Sequence, residues 1–271
     1  MSPEFRKVEA LLALGRTDEA AALADSLPQR ETPTPEYLRL RGRALRAAGR
    51  VFDAEAAFRE ALAMLPHEPG LLADLATTLM GQRRHREALN LAREAVQIRP
   101  DVAAYHCLVG VCAEALALDD EAERELRAAR ELAPGDAEAH TVYGWHALRS
   151  HRVADAEAAF RDALAIHPDR VEALRGLARA AADRGDWRAA RAGWLEALAV
   201  DPRQRDRLLE RSVLLGHPAM APLVAATRVP IGVSVALAAA GAAFLVAFRG
   251  ERCSPSRSSP SPPRARSPAQ P

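Results

Sequence analysis

Lysine is almost missing from this chain of 271 residues: Lys7 stands alone among 37 basic side chains, and the rest are arginine. Aromatic residues are scarce as well, at 4%, so no core here is built on clusters of large rings. An excess of one charge is missing too. A formal net charge of +1 excludes a globally basic nucleic-acid binder and leaves room only for local patches. The three cysteines carry no framework spacing, which excludes a disulfide-stapled scaffold. Alternating β-branched runs, the mark of strands, do not occur. There is no glycine-rich phosphate loop, no G-x-S-x-G, no H-E-x-x-H and no C-x-x-C. The expectation is therefore a protein without catalytic residues, metal, cofactor or small-molecule substrate. The opening "MSPEFRKVEALLALGR" is charged throughout and reads as no secretory leader.

What the chain does have is alanine, at 60 positions. Alanine is the best helix former and lets helices approach closely, so the composition points to a thin, all-α core. Proline then cuts the helical stretches at a fixed interval: Pro66, Pro100, Pro134, Pro168 and Pro202 follow one another every 34 residues. Each closes a helix, because a helix interior does not tolerate the missing N–H. Aligning on these prolines exposes further columns. Ala54, Ala88, Ala122, Ala156 and Ala190 form one; Ala61, Ala95, Ala129, Ala163 and Ala197 form another. A bulkier column reads Phe58, Ala92, Leu126, Phe160, Trp194, and a small one reads Gly42, Ala76, Gly110, Gly144, Ala178. Leu38, Leu72, His106, His140 and Leu174 occupy the leading apolar place of the first helix. Each period thus holds two short helices, with the small column allowing their close approach.

Residues 35–204 resemble five tandem tetratricopeptide repeats, whose 34-residue signature is W-x2-L-G-x2-Y…A-x3-F…P. "YGWHAL…DAEAAFRDALAIHP", 143–168, carries it best, although the leading Trp is absent from every period. The resemblance implies a right-handed superhelical α-solenoid of helix-turn-helix units, at 35–68, 69–102, 103–136, 137–170 and 171–204. Residues 1–34 read as a degenerate repeat-like hairpin stopped early by Pro28, as terminal repeats tend to be. Residues 205–228 read as a capping helix and linker, with Leu208, Leu209 and Leu215 turned toward the last repeat.

Composition changes at 229–248, "VPIGVSVALAAAGAAFLVAF": twenty residues without a charge, between Arg228 and Arg249. About 30 Å of helix spans a bilayer core, so the expectation is a single hydrophobic C-terminal helix acting as a membrane anchor. The Arg/Ser/Pro-rich 249–271 reads as a disordered tail suited to anionic headgroups. Its arginines favour the tail side as cytoplasmic. A long domain made first and without a leader favours the repeats there instead, and the expectation is a single-pass membrane protein with cytoplasmic repeats.

Such arrays present a concave groove, lined by first helices, that receives an extended or helical peptide; this is what the resemblance implies. Residues i, i+4 and i+7 share a helix face, so Arg39, Arg43 and Arg46 form a basic stripe. The 34-residue period carries that face through Ala73, Thr77 and Met80, then Cys107, Val111 and Glu114, then Thr141, Trp145 and Leu148, to Arg175, Arg179 and Ala182. The expected groove is basic at both ends and apolar between, taking a protein partner whose acidic flanks meet the arginines. Some members of the family grip a terminal carboxylate with Lys, Asn and Arg from three successive first helices. The second and third stripes here hold no Asn and no cation, so no affinity for such tails is expected. His106, Cys107, Cys112 and His140 read as packing residues, not metal ligands. The function read here is a non-catalytic interaction scaffold. The alternatives are a chaperone or assembly factor for envelope or membrane proteins, and a regulatory subunit of a separate enzyme.

Overall fold

Alanine-rich segments closed by proline leave a chain little choice beyond short helices, and helices are what form. The computed structural model describes residues 3–27 and 33–201. Among these residues there are twelve α-helices and no strand: α1 (Pro3–Ala13), α2 (Thr17–Ser26), α3 (Pro35–Ala47), α4 (Val51–Met64), α5 (Pro69–Gly81), α6 (His85–Ile98), α7 (Ala103–Ala115), α8 (Asp119–Leu132), α9 (Ala137–Arg149), α10 (Val153–Ile166), α11 (Val171–Asp183) and α12 (Trp187–Val200). The stretches 205–228, 229–248 and 249–271 lie outside the described residues. Among the described residues no helix is long and apolar enough to cross a membrane.

Two devices set the period. The second helix of each full pair ends two residues before its proline, because the residue preceding a proline is pushed out of the α region. The first helix ends on one left-handed residue. Gly15, Gly49, Arg83, Ala117, His151 and Gly185 recur every 34 residues with φ between 57° and 81°. At each, the next amide donates five residues back, as Arg50 N does to Leu45 O at 2.9 Å and Arg152 N does to Ala147 O at 2.8 Å. That bond closes the first helix and leaves the donor residue at the start of the second.

Packing follows the two columns of unequal size, which face each other. A Cβ on Gly42 would lie 2.7 Å from Phe58, one on Gly110 2.5 Å from Leu126, and one on Gly144 2.6 Å from Phe160. Phe160 also reaches the following pair, where a Cβ on Gly176 would lie 2.3 Å from its ring. The bulky column therefore seats on the small residue of its own pair, and Phe160 on that of the following pair as well. His106 and His140 are buried as expected, and each Nε2 donates to the carbonyl of the preceding closing proline: Pro100 O at 2.9 Å, Pro134 O at 3.0 Å. First helices also touch one another in succession, from α1 to α11. They form one inner layer.

Candidate interaction groove

The inner layer brings the candidate residues onto one wall, though not all to its surface. On α3, Arg39 Nε donates to Asp74 Oδ2 on α5 at 2.7 Å, and Arg46 reaches Asp74 Oδ1 at 3.4 Å. Arg46 also donates to the Asp74 carbonyl at 3.2 Å and lies 5.9 Å from the centre of the Phe58 ring. Burial holds the Arg46 guanidinium below the ordinary arginine value; Asp74 opposes this, while Arg43 and Arg39 add to it. Arg43 is exposed. The expected basic stripe is real in sequence, but two of its three cations are tied to a carboxylate that sequence reading did not pair with them.

The middle of the wall is apolar. Met80, Val111 and Trp145 are half-buried, and Trp145 meets Phe160 edge-on with ring centres 5.4 Å apart. Thr77 is exposed, with its hydroxyl turned back to Ala73 O at 2.8 Å. Cys107 and Leu148, expected to line the groove, are buried at 9% and 7% exposure, within a core cluster that runs from α7 to α11. They support the wall without facing a partner. Burial pushes the Cys107 and Cys112 thiols up to about 12, which leaves them as small apolar groups at neutral pH. At the far end Arg179 pairs with Asp183 at 2.9 Å within α11, and Arg175 beside it is half-buried.

Sequence reading missed a polar junction under the same wall. His146, buried on α9, faces Glu114 Oε1 of α7 through Nδ1 at 2.6 Å and Glu123 Oε2 of α8 through Nε2 at 3.0 Å. Arg149 closes on Glu114, and Arg152 closes on Glu123 and lies 5.7 Å from the centre of the Tyr143 ring. The only signal available was acid and base recurring at one spacing, Glu123 and Arg152 lying 29 residues apart. The Glu55–Arg84 pair at 2.7 Å repeats that spacing between α4 and the start of α6.

Two family models described as Tetratricopeptide repeat match the chain, one at residues 45–112 and 147–209, the other at 5–69. Together they take in more than half of it. The chain belongs to the tetratricopeptide-repeat family. Solved structures agree with the fold. A thermophilic TPR protein of Thermus thermophilus, TTC0263, is similar at 25% identity over 67% of this chain and 100% of its own, with a TM-score of 0.62. MamA (41-end) of Desulfovibrio magneticus RS-1 is similar at 16% identity over 63% of this chain and 96% of its own, with a TM-score of 0.51. A chain of the APC/C hetero-tetramer Cut9–Hcn1 aligns at 14% identity over 80% of this chain and 44% of its own, with a TM-score of 0.67. No curated protein matches.

Proposed function

We propose that the chain is a non-catalytic scaffold whose first helices receive an apolar segment of a partner protein. Family membership supports this, since tetratricopeptide repeats serve protein–protein interaction. The observation that carries the reading is the row Met80, Val111 and Trp145, half-buried on the inner wall between two basic ends. Aromatic anchors commonly dominate such interfaces, so Trp145→Ala should weaken partner binding by about 2 kcal/mol or more. Arg43→Glu should act chiefly on association rate and salt dependence.

The anchor at 229–248 belongs to the same proposal and rests on sequence alone: twenty residues, no charge, arginine at both flanks. Crosslinking and pull-down from native membranes, with wild type and Trp145→Ala side by side, tests both halves. The expected result is a stoichiometric partner captured by wild type and lost from the variant, with the full chain held in the membrane pellet through a carbonate wash. Equal capture by a folded Trp145→Ala chain would move the binding surface off this wall. Release of the full chain by the carbonate wash would remove the anchor.

A further inference from the structure

The basic end of the wall is over-supplied with donors. Arg39, Arg43 and Arg46 stand on successive turns of α3, and among the described residues Asp74 is the one carboxylate within ion-pair distance of any of them. Arg39 gives it a single short contact, from Nε, and Arg46 a long one at 3.4 Å. A guanidinium carries five N–H donors and is matched best by a carboxylate taken two-pronged, which neither arginine achieves here. The Asp74 side chain keeps 14% of its surface exposed and lies beside the row that begins at Thr77 and Met80. Gly70 leaves the space under Arg39, since a Cβ there would meet its guanidinium at 2.6 Å.

We propose that Asp74 stands in for a carboxylate of the partner, holding Arg39 and Arg46 until an acidic side chain flanking the partner's apolar segment takes its place, with Arg43 as the first cation that side chain meets. The proposal rests on the groove reading above and gives it a polarity: acid toward α3, apolar residues toward α9. Carboxylate replaces carboxylate, so the exchange keeps the ion pairing and adds the unused donors, while Asp74 turns to water at the groove surface. The occupant is a mixed acidic and apolar protein segment. A polyanion would need a broad positive field, and the chain as a whole carries only +1.

The test uses the full chain in detergent and two fluorescein-labelled peptides with one Ile-Leu-Phe core, preceded by Glu-Glu in the first and Gln-Gln in the second. Wild type should bind the Glu peptide about tenfold tighter than its twin, with the preference shrinking as salt rises. Asp74→Asn should tighten the Glu peptide severalfold and leave the Gln peptide unchanged, while Arg43→Glu should erase the preference. Circular dichroism checks the variants' fold, and if Asp74→Asn unfolds, the salt dependence of the wild-type preference decides. Equal binding of both peptides, with Trp145→Ala weakening both, would overturn the acid site and leave the groove reading standing. No binding of either peptide would overturn both. Displacement of the Glu peptide by millimolar inorganic phosphate alone would overturn the proposal in favour of a small-anion site.

Discussion

The pair α3/α4 and the pair α5/α6 run on the same backbone frame and fill it in opposite ways. In the first, a large residue sits on an absent side chain, Phe58 over Gly42. In the second, the same two places hold Ala92 and Ala76, both fully buried. The ring goes with an empty facing place and alanine goes with alanine, so the two positions change together, as close packing requires. The contrast extends to the next junction. Glu55 on α4 meets Arg84 at the start of α6, whereas the equivalent places one period on are Leu89 and Leu118. A repeat architecture therefore tolerates exchange of chemistry between neighbouring units when both partners change together.

The largest expected effect breaks this comparison on its bulky side. Phe58→Ala removes a ring with no exposed surface from a site whose other wall is glycine, so little can collapse into the space. The loss should be about 3–5 kcal/mol in urea unfolding. On the small side, Ala92→Phe should cost about 1–3 kcal/mol by overpacking against Ala76. Adding Ala76→Gly to Ala92→Phe should recover most of that loss, rebuilding in the second pair the arrangement of the first. A strictly additive double variant would show that the two columns do not answer each other.

The next effect separates the ionic junctions from the leucine one. Burial pushes the Glu123 carboxyl up, but hydrogen bonds from Arg152 and Arg127, with their charges, outweigh it and hold it below the ordinary glutamate value. Glu55 is lowered in the same balance, burial against hydrogen bonds from Gln82, Arg84 and Arg59. A carboxyl depressed in the folded state adds stability that is fully present above the unfolded value, about pH 4.3, and is lost as pH falls through the folded one. Glu123→Gln should therefore flatten the fall in stability below about pH 4, while Leu89→Ala shifts the whole curve down without changing its slope. Parallel curves for wild type and Glu123→Gln would remove the ionic junction from the account of acid unfolding.

The period, the helix pairs and their proline stops were legible because each is written in one residue type at one spacing. The small and bulky columns were legible as columns, but not as partners, since facing across a pair is a property of the packed backbone. Asp74 escaped because its arginines lie 28 and 35 residues away, so no local pattern joins them. Cys107 and Leu148 were placed on the groove by the i, i+4, i+7 rule, which fixes a helix face and says nothing of the neighbour that covers it. The His146 junction was illegible for the same reason: its carboxylates come from α7 and α8.

The smallest expected effect concerns a column that hid because only half of it is glycine. Arg83, Ala117 and His151 hold φ of 62°, 57° and 58° at the place where Gly15, Gly49 and Gly185 hold 69°, 78° and 81°. A left-handed conformation costs an ordinary residue about 1–2 kcal/mol. Glycine avoids that cost but loses roughly 0.5–1 kcal/mol more chain entropy on folding. Ala117→Gly should therefore stabilise by about 0.5–1 kcal/mol, and Gly49→Ala should destabilise by a similar amount. No atom lies within 4 Å of a Cβ built at Gly49, so backbone conformation alone sets that second change. Both appear as opposite shifts in the urea midpoint at constant slope. A midpoint that falls in Ala117→Gly would mean that entropy outweighs strain at this turn, and that the chain uses alanine there because it is the better residue.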